Sequence, residues 1–430
     1  MKNAAAPRLF LALALLVFPG PGRAGADPLT GTDPLYGAAA LPALACRSAA
    51  LVDGETGTVL FSRSPSLLIS PASLTKIMTM HLTLRDIRAG RVSEGDVVAL
   101  PPEAWAENQP PRSSLMFLDR GQRVTLGEIL MGLAVSSGND AAVAAALHLA
   151  PSLESFVAMM NAEAGRLGLA STRFTEPAGI SPENTTTAMD LARFCAVYLK
   201  EHPGAPARFH SAPSFAYPLA ANIPNPRTIV QYNRNTLLGR LGVDGLKTGH
   251  ITEAGYNIAL SARRDDTRLV AVLLGSDNED ERDRDGEALL RWGFDNFKTL
   301  RYTPASLPPV RVWGGRAKYV PVRADTAAGA GITADTGSAA GRGPAPTAGV
   351  TALTVPVRRG NGLRQEIILE KELKAPLLAG SPAGTLILRD SMGELARIPL
   401  SLEKEAPRGG FFRILFDSIA LFFSRLFGDG

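Results

Sequence analysis

Cysteine is almost missing from this chain: 430 residues hold only Cys46 and Cys195, and the five histidines are scattered. No H-E-x-x-H or C-x-x-C spacing gathers such residues, so the sequence names no metal site and no cofactor. Two cysteines far apart do not specify a disulfide, even in an exported protein. Cys195 sits among Ala192, Phe194, Ala196 and Val197, which suits a small buried side chain. Cys46 follows Leu44-Ala45, but the Pro-, Gly- and Asp-rich segment before it excludes a lipoprotein box. Aromatic residues make up 6% and no basic patch is laced with them, which excludes nucleic acid as a partner. Long hydrophobic runs are absent too. The apolar stretch from Leu9 to Phe18 is too short to span a bilayer as a mature helix.

That stretch has another reading. Lys2 and Arg8 flank its entry, Pro19-Gly20-Pro21-Gly22 break it, and Ala24 and Ala26 bracket Gly25 in an A-x-A pattern. Residues 1–26 are therefore expected to be a cleaved signal peptide, which places the mature chain outside the cytoplasm. Losing Lys2, Arg8 and Arg23 takes the formal charge from +4 to +1. With 45% hydrophobic and 20% charged residues, the remainder suits a globular protein of two or three domains.

Between Ala49 and Ser62 the pattern is strand, Gly-containing turn, strand. A helix follows, with Ser70 as expected N-cap, Pro71 in the first position and Gly90 as the stop. Further helices are expected at Leu126–Leu133 and Ala141–Leu149. Strands return at Gly245–Ile251, Asn257–Arg263 and Thr267–Gly275, the last two joined by Arg264-Asp265-Asp266. Early and late strands with helices between them predict one antiparallel sheet with helices packed on it. After Leu307-Pro308-Pro309 short β-runs predict a small all-β domain: Val310–Trp313, Tyr319–Val322, Leu353–Val357, Glu366–Leu369, Gly384–Leu388 and Ala396–Leu400. Residues 324–352, rich in Ala, Gly and Thr, cannot build a core and read as an insertion, either a spacer or a bland loop. The expected divisions are 1–26 leader, 27–300 catalytic, 301–405 β-rich and 406–430 amphipathic tail.

Three short motifs carry chemistry. Ser73-Leu74-Thr75-Lys76 is an S-x-x-K at a helix start, where the spacing brings Lys76 to the Ser73 hydroxyl. The helix dipole favours negative charge developing there, and a lysine shielded from water loses proton affinity and can serve as base. Ser137-Gly138-Asn139 is an S-x-N, and Lys247-Thr248-Gly249 a K-T-G on a strand. Decoys exist. Ser401-Leu402-Glu403-Lys404 reads as an exposed strand end, and Ser276-Asp277-Asn278 as a solvated loop in a charged run. Only one set runs in the order S-x-x-K, S-x-N, K-T-G.

On these motifs the chain resembles the low-molecular-mass penicillin-binding proteins, specifically the D-alanyl-D-alanine carboxypeptidases. The resemblance extends to Ser113–Phe117, to Gly179 with Thr186–Asp190, to Asn233-Arg234-Asn235 and Val243–Gly245, and to Gly293-Phe294 and Pro407–Phe412. It implies an α/β (α+β) fold with a transpeptidase-like antiparallel sheet, then a small all-β domain and a C-terminal amphipathic helix. It also implies a serine acyl-enzyme trimming peptidoglycan stem pentapeptides, with β-lactams as covalent inhibitors. In that reading Ser73 is the nucleophile, Lys76 its base and Ser137 a proton shuttle. Asn139 holds substrate backbone, while Lys247, Thr248 and Arg234 face the terminal carboxylate beside Gly249. The oxyanion hole would be the backbone N–H groups of Ser73 and His250. Arg234 has a second reading, as an ion-pair partner of Asp244. Where threonine often follows K-T-G-H in the family, this chain has Ile251, which touches substrate contacts and not the core machinery.

A β-lactamase would use the same triad, but the E-x-x-L-N motif for deacylation is missing. A non-catalytic wall-binding protein would have no reason to keep all five reactive residues. In the tail, a helical wheel gathers Phe412, Leu415, Phe416, Ile419, Phe422, Phe423 and Leu426 on one face. Arg413, Asp417, Ser418, Ser424 and Arg425 fall on the other, where Ile414 and Leu421 intrude. Residues 411–427 therefore predict an interfacial helix, peripheral to the periplasmic face of an inner membrane, or else a helix docked on the protein's own surface.

Overall fold

The computed structural model describes residues 41–302, 307–325, 333–334, 353–360, 362–391 and 393–427. The expected leader, and the insertion apart from 324–325 and 333–334, lie outside them.

The first hairpin pairs β1 (Ser48–Asp53) with β2 (Val59–Arg63). A 3-10 turn over Ala72–Thr75 leads into α1 (Lys76–Arg88), and Gly90, at φ +69, ends it as expected. The start differs from expectation: Pro71, not Ser70, flanks the first turn, and that turn is 3-10. A ribbon of β3 (Val97–Val98) and β4 (Val124–Thr125) precedes α2 (Leu126–Met131), which a capping box between Thr125 and Glu128 begins. A π-turn follows at Gly132–Ser136, then α3 (Asn139–Leu149), α4 (Leu153–Arg166) and α5 (Ala188–Glu201). A second ribbon pairs β5 (Ser214–Tyr217) with β6 (Ile229–Tyr232).

The chain then lays down β7 (Val243–Ile251), β8 (Gly255–Arg264) and β9 (Thr267–Ser276). The sheet order β2-β1-β9-β8-β7 is all antiparallel, the predicted arrangement. Its strands alternate between two cores. Ala50, Val52, Ala259, Val270 and Val272 face the core shared with α1 to α5, whereas Ala49, Leu51, Leu260, Ala271 and Leu273 face the other. The period of two thus explains a nearly unbroken apolar run in β9: both faces are covered.

The second face is covered by α6 (Glu279–Asn296). This corrects the reading of Ser276-Asp277-Asn278 and the following charges as a solvated loop. Ser276 is buried, Asn278 caps the helix through Glu281 N–H at 2.8 Å, and Asp285 is buried accepting from the N–H groups of Ala45 and Cys46. Cys46 and Cys195 are both buried and unpaired.

Beyond α6, β10 (Phe297–Tyr302) leaves for the all-β domain, which also holds β11 (Val310–Trp313), β12 (Tyr319–Val320) and β13 (Val322–Ala324). The run expected at Tyr319–Val322 is broken at Pro321. There follow β14 (Thr333–Ala334), β15 (Leu353–Arg358), β16 (Arg364–Leu369), β17 (Leu373–Lys374), β18 (Pro382–Asp390) and β19 (Gly393–Leu402). A third core, from Val310 to Ala406, fills it. The decoy Ser401 is buried near the end of β19, not exposed, and its hydroxyl donates to Asp325 at 2.7 Å. The tail forms α7 (Phe411–Phe427).

A buried polar cluster ties α1 to its neighbours. His81 Nε2 lies 2.9 Å from Glu163 on α4, and His81 Nδ1 lies 3.0 Å from His202 after α5. Arg85 and Arg166 also donate to Glu163, at 2.9 and 2.6 Å. Histidines scattered in sequence thus meet in space. Burial alone would raise the Glu163 carboxyl, but hydrogen bonds from Arg166 and His81 outweigh it and hold the group at about 2. Glu163→Ala, which takes the shared acceptor from His81, Arg85 and Arg166 but leaves Arg85 near Asp86 and Arg166 near Glu201, should cost about 2 kcal/mol at neutral pH, read by denaturant unfolding. The depressed folded value means this stabilisation is full above the ordinary 4.5 and lost as pH falls towards 2, so the variant's acid limb should be flatter there.

Candidate active site

Ser73 stands at the seam between the 3-10 turn and edge strand β7. Two glycines make that seam possible. A Cβ on Gly249 would sit 2.9 Å from the Ser73 nitrogen and 3.0 Å from the Pro71 carbonyl. One on Gly179, at φ +79, would fall 1.8 Å from the Ala72 carbonyl. From the sheet side, Asn257 on β8 donates to the Ser70 carbonyl at 2.9 Å while accepting from Gly275 N–H at 2.8 Å. The backbone around Ser73 is clamped from three directions.

Lys76, one turn on, is fully buried and donates three hydrogen bonds. They go to Ser73 Oγ at 3.0 Å, Asn139 Oδ1 at 2.8 Å and the Ala178 carbonyl at 2.5 Å. Burial lowers its ammonium to about 7, more than the Glu176 and Asp140 carboxylates raise it, and Arg234 lowers it further. Two of the three acceptors are carbonyl oxygens, which can only accept. When Lys76 is neutral they retain its two N–H groups. The lone pair is then left for Ser73, the one partner whose hydroxyl can reverse and donate. When neutral, Lys76 thus aims its lone pair at the Ser73 hydroxyl.

Each acceptor is itself held. Ala178 belongs to a loop wrapped around Glu176, whose carboxylate accepts from the N–H groups of Ala178, Gly179 and Ile180 at 2.6–2.8 Å. Asn184 ties the same loop to Thr75 at 3.2 Å, and Thr79 donates to the Pro177 carbonyl at 2.7 Å. Asn139 opens α3, and the following Asp140, buried, accepts from the N–H groups of Met116, Phe117 and Leu118 at 2.8–3.0 Å. Sequence reasoning missed Glu176, Asp140, Asn184 and Asn257. Asp140 directly after S-G-N was the one readable signal, an acid in a first helical turn.

Ser137 is buried in the left-handed conformation, φ +57, between the π-turn and α3. Lys247 and Thr248 on β7 are also buried, and Lys247 Nζ donates to the Thr248 carbonyl at 2.9 Å. Burial, then the nearby Lys76, Arg234 and Arg282 charges, push the Lys247 ammonium well below its usual range, and a carboxylate arriving beside it would offset the repulsion among these cations and restore the ammonium. Behind the strand, His210 Nδ1 lies 3.0 Å from the Leu246 carbonyl, with Tyr198 at 2.7 Å on the other nitrogen. Asn233 and Asn235 brace the His210 and Gly245 carbonyls, leaving Arg234 between them exposed. Arg234 does not pair with Asp244. That carboxylate is taken by Arg268 at 2.9 Å, which removes the ion-pair alternative. The His250 ring is exposed and packs on Tyr256 at 4.1 Å, consistent with a backbone role. S-x-x-K, the asparagine of S-x-N and the glycine of K-T-G therefore converge on the Ser73 seam.

A model of the D-alanyl-D-alanine carboxypeptidase family matches residues 36–278. The chain is 33% identical over 398 residues to the D-alanyl-D-alanine carboxypeptidase DacC of Escherichia coli, covering 90% of this chain and 91% of that protein. It is 31% identical to DacA of the same organism, covering 90% of each. Penicillin binding protein 5 from Haemophilus influenzae superposes with a TM-score of 0.73 at 28% identity, over 86% of this chain and all of that one.

The lysine's lowered affinity yields a direct test. In a lysine side-chain NMR titration Lys76 should lose its proton near pH 7, and acylation of Ser73 by an activated ester should fall about tenfold per pH unit below that. Asn139→Asp places a carboxylate against Nζ and should move both curves to higher pH. Unmoved curves would mean that Lys76 is not the group titrating.

Proposed function

The chain belongs to the D-alanyl-D-alanine carboxypeptidase family, and from that premise we propose how its own residues carry the reaction. It is a serine-type hydrolase that removes terminal D-alanine through an acyl-enzyme. The three-way hydrogen bonding of buried Lys76 is the observation that carries the assignment of roles.

Ser73 Oγ attacks the carbonyl carbon of the penultimate D-alanine while its proton passes to the Lys76 lone pair. The N–H groups of Ser73 and His250 receive the oxyanion; Gly249, bare of side chain, lets β7 come this near. Ser137 relays a proton to the departing amine. Collapse expels D-alanine and leaves the peptide acyl on Ser73, which water then releases with Lys76 again as base. Asn139 serves twice: Oδ1 fixes Lys76, and its amide N–H groups are left for a substrate carbonyl. Because β7 is a sheet edge, its unpaired side offers backbone partners to an extended stem peptide. Lys247, Thr248 and Arg234 gather positive charge for the terminal carboxylate.

A β-lactamase reading requires a glutamate free to activate water. Glu176, the one glutamate whose charge acts on Lys76, is occupied by the backbone N–H groups of Ala178, Gly179, Ile180 and Ser181 and by the Asn184 amide at 2.9 Å. An acyl group from a β-lactam should therefore persist. Labelled penicillin should give one adduct by intact mass, lost in Ser73→Ala, and a pentapeptide ending in D-Ala-D-Ala should shorten by one residue. An adduct surviving Ser73→Ala, or mapping to Ser401, would overturn the assignment.

We further infer export through the 1–26 leader, peptidoglycan remodelling on the periplasmic side, and peripheral membrane attachment through α7. Among the described residues no single helix is long and apolar enough to cross a membrane. Along α7, Phe411, Phe412, Leu415, Phe416, Ile419, Phe422 and Phe423 are exposed, at 44–74%. Each large side chain fully buried in lipid would contribute roughly 1.5–3 kcal/mol, and partial insertion less. Removing 408–430, or replacing Phe412, Phe416 and Phe423 by Gln to spare the docked side, should abolish vesicle co-sedimentation and leave peptide hydrolysis intact. Equal binding by all forms would place the anchor elsewhere.

A further inference from the structure

The side of α7 opposite its phenylalanine stripe is not free. Ile414 and Leu421 turn inward, and Asp417, 7% exposed, accepts from Gly314 N–H at 2.9 Å and lies 3.5 Å from Arg311 and 3.1 Å from Arg413. Between this side and the β-domain lies a cavity of about 300 Å³. Trp313, Ile414, Leu421 and Phe422 form its apolar wall, and Lys374 and Arg408 line it as well. Backbone pairing fixes where the two cations stand. Lys374 on β17 is the register partner of Trp313 on β11, and Arg408 is bridged to Gly315 just beyond. Both therefore stand beside the same strand end, two residues apart along it. Both are exposed, and neither forms an ion pair with a described residue. The single acid in the wall, Asp417, is already matched by Arg311 and Arg413, so the cavity presents net positive charge.

Phe422 lines the cavity and is also 60% exposed on the outer stripe. A cationic recess thus opens onto an apolar surface, which is the shape of a molecule with an anionic head and a hydrocarbon tail. We propose that this cavity binds the phosphate headgroup of an anionic membrane lipid, with Lys374 and Arg408 as its ligands and the acyl chain lying along Phe422. The inference rests on the membrane-attachment reading of α7 and adds a specific site to it. The site makes attachment selective for anionic lipid, where a phenylalanine stripe alone would not discriminate between headgroups.

The test is co-sedimentation of the full chain with vesicles of phosphatidylcholine alone or mixed with phosphatidylglycerol. The wild type should favour the mixture. Lys374→Ala/Arg408→Ala should bind it roughly 10- to 30-fold more weakly, the scale of two lost surface cations, and bind phosphatidylcholine unchanged. Arg227→Ala/Arg364→Ala removes the same charge from exposed positions elsewhere and should have little effect. Equal losses in the two double variants would replace the site by diffuse attraction. Displacement by millimolar glycerol phosphate would make it a site for soluble phosphates instead. Wild-type and Lys374→Ala/Arg408→Ala chains binding the mixture alike would overturn the cavity and leave the anchor standing. Failure of the full chain to bind any vesicle would overturn both.

Discussion

A lysine ammonium without water around it is the constraint from which the rest of the catalytic half follows. Removing Lys76 from solvent would cost several kcal/mol if its hydrogens were unmatched. The fold matches them with three acceptors drawn from three segments: Ser73 on its own first turn, Asn139 at the start of α3 and Ala178 on the loop before α5. Those segments must then be fixed to a few tenths of an ångström. Two buried or half-buried carboxylates, Asp140 and Glu176, accomplish this by gathering consecutive backbone N–H groups. The same acids hold the lysine's proton affinity up against burial, so that it settles near neutrality and not far below. Scaffold and titration are one set of contacts.

The second requirement is closeness between helix and sheet. An edge strand can set its backbone N–H groups beside a helix start only by approaching at backbone distance, and any side chain at Gly249 would prevent that. The approach is kept in register by Asn257, which bridges β9, β8 and the segment before Ser73. Glycine and asparagine thus do complementary work, one removing bulk and the other restoring the hydrogen bonds that bulk-free backbone needs.

What was legible in the sequence was what chemistry requires locally. Ser73 and Lys76 share a helical turn, and strands with period two announced the sheet. The residues that went unread act on distant backbone. Glu176 and Asp140 look like ordinary acids until the loops they collect are folded around them. Helix α6 was hidden for a related reason. Its run of acids and arginines suggested solvent, yet Arg282 and Asp285 are buried, the latter because the strand entry at Ala45 and Cys46 brings two N–H groups to its carboxylate. Composition weighs a charge as exposed, and only tertiary structure supplies the partner that makes burial tolerable. Ser401, rightly set aside as a motif, was misread only in its exposure: it is buried, and the Asp325 carboxylate just beyond β13 takes its hydroxyl.

The tail shows how a two-faced wheel can conceal three faces. Ile414 and Leu421 spoiled the polar side when α7 was read as an amphipathic cylinder between lipid and water. They lie seven residues apart with Asp417 between them, the spacing of one docking seam, and the structure seats that seam on the β-domain. Arg413, which on the wheel belonged to a solvent-facing cationic side, is instead paired with Asp417 at 3.1 Å. The docked seam changes what the exposed face is. A free amphipathic helix chooses its own orientation in an interface, whereas one held through Asp417 to Gly314 and Arg311 presents its phenylalanines in a direction set by the β-domain. Lys374 and Arg408 acquire their significance from that rigidity. Cations on a separate strand end can act together with a helical stripe only if the helix cannot swing away from them.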